Sequence, residues 1–158
     1  IGPDQPWECW DGHPDCIDYN PVPVGECVVT PGIQFHALAA PGPVPDGAQV
    51  PGTRMSVQRG ATAGEIVIDW QPTCDADDHA IYFGSLGDFS NYTFVVCDAG
   101  MAGTVPVTPP GGNLFWVVVG QNGSLEGSYG YRSDLTERPA AGGPWCGNIQ
   151  DLTATCVP

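Results

Sequence analysis

Glycine and proline interrupt this chain every few residues. There are 22 glycines and 17 prolines among 158 residues, about a quarter of the sequence. Proline inside a helix removes a hydrogen bond and clashes with the preceding turn, and glycine there costs backbone entropy. That punctuation leaves room for short strands joined by turns and little room for helices. The hydrophobic content of 42% is that of a globular protein, and the length suits one domain with a core of its own. An all-β fold is the first inference.

From about residue 51 the apolar residues fall into a regular pattern. MSVQR (55–59), EIVIDW (65–70), HAIYFGSL (79–86), YTFVVC (92–97), TVPVT (104–108), LFWVVVG (114–120) and SYGYRS (128–133) read as seven strands. EIVIDW alternates, setting Ile66, Ile68 and Trp70 on one face, with Trp70 as core anchor; HAIYFGSL sets Ile81 and Phe83 opposite Ala80 and Tyr82. LFWVVVG is apolar on both faces and belongs mid-sheet. After the turn QNGSLEG, SYGYRS returns antiparallel to it. Seven short strands with regularly spaced turns predict a Greek-key sandwich. Residues 1–50 look different: proline-rich text such as DYNPVPVGEC surrounds two short apolar pieces, CVVT (27–30) and IQFHAL (33–38). They read as an irregular, disulfide-containing N-terminal extension, followed by a sandwich over 51–139 and a Cys-closed C-terminal tail over 140–158 that packs on it.

Charge narrows the partners. Four Lys+Arg stand against 18 Asp+Glu, a net charge of −14, and all four cations are arginine: Arg54, Arg59, Arg132 and Arg138. With no lysine there is no Schiff-base chemistry. With no basic patch the chain cannot neutralise a run of phosphates, so nucleic acid and anionic membrane surfaces are poor partners. No apolar run approaches the ~20 residues of a transmembrane helix.

Seven cysteines, Cys9, Cys16, Cys27, Cys74, Cys97, Cys146 and Cys156, carry no CxxC and no zinc-finger spacing. They read as a disulfide framework in an oxidising compartment. The start at Ile1 without an initiator Met agrees with a processed, exported protein. An odd count leaves one thiol to stay buried and inert, to bind something, or to join a second molecule.

WQP (70–72) after an alternating strand resembles the start of a fibronectin type III domain. VVVGQNGSLEGS (117–128) resembles that family's F–G region. PVPDG, AIYFGSLGDF, Cys97, LFWVVVGQNG, EGSYG, TERP and the closing cysteines are similar to a cysteine-containing variant of the sandwich in secreted bacterial proteins. The resemblance covers about residues 43–158. It departs from the family at strand F, where Phe115 and Trp116 stand in place of a corner tyrosine. It implies an immunoglobulin/fibronectin III-like Greek-key sandwich at the bacterial cell surface. It also implies two staples, Cys74–Cys97 between neighbouring strands and Cys146–Cys156 closing the tail, which leaves the odd thiol among Cys9, Cys16 and Cys27.

DADDHA (75–80) is the densest group of potential ligands. Asp75, Asp77 and Asp78 could offer oxygens to calcium, but the EF-hand pattern is not met, and aspartate is also a favoured turn residue. An acidic turn is the leading reading and a calcium site the alternative. His79 is expected to pack half-buried in a strand, and His36 in IQFHAL is read as a strand residue with nothing nearby to activate it. His13, beside Asp11 and Asp15, lies in a loop that Cys9 and Cys16 could close. Trp7, Trp10 and Tyr19 form an aromatic group that either covers the sandwich or contacts a glycan or protein partner. Trp145 is expected to plug one end of the domain. EGSYG (126–130) has Glu126 where a nucleophile elbow needs glycine, and Glu126 and Glu137 sit in no glycosidase motif. NYT (91–93) and NGS (122–124) match a glycosylation sequon, although Asn122-Gly123 reads first as a turn.

These observations give two expectations. One is a non-catalytic extracellular structural or adhesive subunit that associates with copies of itself through its N-terminal extension. The other is a secreted module that binds carbohydrate or calcium.

Overall fold

In a computed structural model of the chain, residues 39–142 and 145–154 are described. Cys9, Cys16, Cys27, Cys156, Trp7, Trp10, Tyr19, His13 and His36 lie outside them. The chain divides between Phe35 and His36, and every described residue belongs to the second unit.

The described residues contain no helix and eight strands: β1 (Ser56–Arg59), β2 (Ile66–Asp69), β3 (Asp78–Ser85), β4 (Phe94–Val96), β5 (Thr104–Val107), β6 (Leu114–Asn122), β7 (Leu125–Glu126) and β8 (Ile149–Gln150). They form two sheets, in the orders β1-β2-β5 and β4-β3-β6-β7-β8. Every pairing is antiparallel except β7 with β8.

The alternation seen in the sequence decides the faces. Ile68 and Trp70 of one sheet meet Ile81, Phe83 and Val118 of the other in one buried cluster with Val107. Each large side chain withdrawn from water there contributes roughly 2–3 kcal/mol. Val44 belongs to the same cluster, so part of the segment expected in the extension contributes to this core. Their backbone is held there: Gly42 N–H donates to the Cys74 carbonyl at 3.1 Å, and Thr73 Oγ1 donates to the Pro43 carbonyl at 3.0 Å.

The five-stranded sheet is buried on its other face too. Ala80, Tyr82, Val117 and Val119 point there and pack with Tyr92 and Tyr129; Ala140, Ala141 and Cys146 of the C-terminal segment lie against them. The doubly apolar β6 is accordingly central, between β3 and β7, as a strand buried on both faces requires.

One expected strand is corrected. SYGYRS does not return along β6; Leu125–Glu126 does, pairing with Asn122 and Gln121. The turn is only Gly123-Ser124, and Gly123 has φ of 60°. A two-residue hairpin with positive φ at its first position needs glycine there. Residues 128–138 instead form an irregular loop closed by a single bridge between Tyr131 and Glu137.

The disulfide expectation is corrected as well. Cys97 is bonded to Cys146, 49 residues on, with Cα atoms 5.5 Å apart. Cys74 is disulfide-bonded too, so it cannot be Cys97's partner, and Cys146 is not Cys156's. The bond joins the end of the β4 strand to the segment covering the outer sheet face, a geometry that cysteine spacing does not encode.

Candidate functional site

Four polar groups are held by the fold, and what each touches decides what it can do. His79 is fully buried, more deeply than the half-buried packing expected for it. Its Nε2 accepts from the Thr73 N–H at 3.2 Å, which leaves Nδ1 to donate to the Gly100 carbonyl at 3.0 Å. The ring lies 5.5 Å from that of Trp70. Burial pulls its pKa below the ordinary value, partly opposed by the Gly100 bond and by the Asp78 charge. The result is a neutral histidine with both nitrogens engaged.

Glu126 sits at the end of β7, buried. Tyr82 Oη donates to Oε2 and Tyr129 Oη to Oε1, each at 2.8 Å. Burial pushes the carboxyl pKa upward, against the two tyrosine hydrogen bonds. Burial also raises both tyrosine hydroxyls, and that of Tyr92 to about 12. Glu137, its imagined catalytic partner, takes Ser128 Oγ on both oxygens at 2.9 Å and the Tyr129 N–H on Oε1 at 2.7 Å. Ser128, the serine of EGSYG, is thereby committed to bracing the 128–138 loop.

The acidic turn is similarly occupied. Asp78 Oδ1 accepts the N–H groups of His79 and Gly100, both at 2.6 Å. Asp77 Oδ2 accepts from the Gly123 N–H at 3.3 Å. Asp75 has φ of 56°, and its carbonyl accepts from Asn122 Nδ2 at 2.8 Å. Asp77 and Asp78 border a shallow recess with Asp98, yet among the described residues no three acidic, histidine or cysteine side chains are grouped to hold a metal. DADDHA ties the start of β3 to the β6–β7 turn, and aspartate does this because its short carboxylate reaches nearby backbone donors. Trp145, expected to plug the domain, is 42% exposed.

The larger concavity, about 350 Å³, lies where segment 44–55, strand β6 and loop 128–138 meet. Trp116, Met55 and Tyr131 give it apolar wall, and Asp46, Gln49 and Arg138 give it polar wall. Gln49 Nε2 donates across it to the Arg132 carbonyl at 3.3 Å, joining its two sides. Asp46 Oδ1 accepts the N–H groups of Ala48 and Val50 at 2.8 and 2.9 Å, which fixes that rim. Sequence reasoning singled out none of these residues as a site. They come from three separate segments with no shared spacing, so only the fold brings them together.

No family model, no curated protein and no solved structure matches the chain.

Proposed function

We propose that this protein is a non-catalytic extracellular structural or adhesive subunit, built on a fibronectin III-like Greek-key sandwich, that associates with copies of itself. The observation that carries the reading is the cysteine count. With Cys97 joined to Cys146 and Cys74 also in a disulfide, the odd total of seven still leaves one cysteine that cannot pair within the chain. The odd cysteine is then one of Cys9, Cys16, Cys27 and Cys156, three of which fall in the proline-rich N-terminal extension that this reading links to a second copy. Disulfides persist in oxidising surroundings, which agrees with a place outside the cell. The described residues include no helix long and apolar enough to cross a membrane.

Two further features support the reading. In immunoglobulin-like sandwiches the first, second and fifth strands share one sheet, and the third, sixth and seventh share the other. The orders β1-β2-β5 and β3-β6-β7 follow that division, with β4 beside β3. Strand β1 is exposed along its whole length and pairs with β2 alone among the described strands, and an open edge accepts a strand from a second copy. Sedimentation on serial dilution tests the non-covalent part. The wild-type chain is expected to populate oligomers that Val57→Lys, a charge on the open edge, dissociates. A monomer at every concentration would remove self-association through this edge.

A second reading, a secreted module binding carbohydrate or calcium, is favoured on its carbohydrate side by the cleft at Trp116. The acidic turn is where calcium would act, and a melting temperature unmoved by calcium or chelator would remove it.

A further inference from the structure

Two asparagines stand in the sequon N-x-S/T, Asn91 in NYT and Asn122 in NGS, and the fold treats them differently. The amide nitrogen of asparagine carries two hydrogens. Attaching a sugar replaces one of them and sets a bulky group at the surface. Asn122 has no hydrogen to spare. It ends β6, paired with Leu125, and its Nδ2 donates to the Asp75 carbonyl at 2.8 Å and the Ala39 carbonyl at 3.1 Å. Asn91 stands in the connection between β3 and β4, where residues 86–91 are all exposed. Tyr92 is buried, its Oη donating to the Pro139 carbonyl at 3.2 Å, while Asn91 and Thr93 on either side are exposed. Asn91 Nδ2 donates once, to Asp88 Oδ2 at 2.6 Å, which leaves its second hydrogen for replacement. The Thr93 hydroxyl, the sequon's third member, makes no hydrogen bond among the described residues.

A second observation points to carbohydrate at the same loop. Leu86 and Phe89 are large apolar side chains, yet they are 56% and 45% exposed. The Phe89 ring rests against Phe115, centroids 5.2 Å apart, so it is held in place while much of its surface meets water. A flat apolar ring fixed two residues before an asparagine gives the C–H face of a sugar a surface to lie on. We infer that Asn91 is an N-glycosylation site whose first sugar lies over Phe89, and that the folded chain protects Asn122. The donor is a lipid-pyrophosphate-linked oligosaccharide. A bond from Asn91 Nδ2 to the anomeric carbon forms as that carbon's bond to the pyrophosphate oxygen breaks. Lipid pyrophosphate leaves with the bonding pair, and the displaced amide proton passes to a base of the transferase. The N–H that remains on Asn91 keeps its bond to Asp88.

Transfer from the lipid-linked donor to the full folded chain by a purified oligosaccharyltransferase tests this, read by intact mass and peptide mapping. One glycan per chain is expected, on Asn91. Asn91→Gln should lose it, and Asn122→Gln should keep it. The reduced, unfolded chain should take glycan at both asparagines, which separates protection by the fold from rejection of the NGS sequence. Glycosylated wild type should melt above the bare chain, and Phe89→Ala should lose that gain. A folded chain that takes no glycan, or takes it on Asn122, would overturn the assignment. Failure of the unfolded chain at Asn122 would overturn the account of its protection. No gain in wild type, or an equal gain in Phe89→Ala, would overturn the contact with the ring.

Discussion

Glu126 and His79 are buried ionisable groups engaged by hydrogen bonds on both polar atoms of the side chain, and they oppose each other in pH. Glu126 has its pKa raised by burial, so the folded chain holds that proton more tightly than the unfolded one. Its contribution to stability is full below the ordinary carboxyl value of 4.5 and is lost as pH rises through the raised folded value. His79 has its pKa lowered by burial. Its contribution is full above 6.5 and is lost as pH falls through the depressed folded value. Denaturant titrations at several pH values should therefore show wild type gaining on Glu126→Gln as the solution is acidified, and losing ground relative to His79→Gln. A pH-independent difference for either variant would contradict the assignment. Glu126→Ala strips the acceptor from two buried tyrosine hydroxyls and should cost about 3 kcal/mol. His79 was legible as a packing residue of a strand, although buried more deeply than expected, whereas the role of Glu126 was not. Glu126 lies in a two-residue strand, and its tyrosines come from β3 and from the loop after β7.

At the scale of elements the outer face of the five-stranded sheet depends on the segment laid over it, and the Cys97–Cys146 bond fixes that segment. Replacing both cysteines with alanine opens a 49-residue loop and should cost about 4 kcal/mol on a chain-entropy account, read as a lower denaturation midpoint. Peptide mapping without reductant should recover these two cysteines together; a Cys74–Cys97 peptide would contradict the fold. Gly84 is a second constraint. A Cβ added there would run into the Asn91 carbonyl oxygen and the Phe115 ring, so Gly84→Ala should destabilise by about 2 kcal/mol. Strands β2 and β3 were legible because their period of two is dictated by facing a core, and β6 because it is apolar on both faces. Residues 128–133 misled because alternating aromatics read as a strand. The hairpin partner of β6 is only two residues long, too short to show a period, and Gly123 ends β6 before SYGYRS is reached. The cysteine pairing was illegible for a different reason: spacing along the chain does not say which loop crosses which sheet face.

For the whole molecule, two features read directly from composition bear on association. A net charge of −14 opposes bringing copies together, so an assembly of this chain needs something stronger than surface attraction. On the proposed reading the odd cysteine would supply it, since a covalent bond is indifferent to that repulsion once formed. All-β architecture, two sheets and a disulfide were within reach of the sequence, because glycine, proline and cysteine content constrain them globally. The cleft was not, because it is assembled from residues whose only relation is their place in the fold. The most direct measurement is the mass of native, thiol-blocked chain on a denaturing gel, with and without reductant. The account predicts multiples of 16.6 kDa that collapse to one band on reduction. A single monomer band in both lanes would contradict it, because the seventh cysteine would then link no second copy.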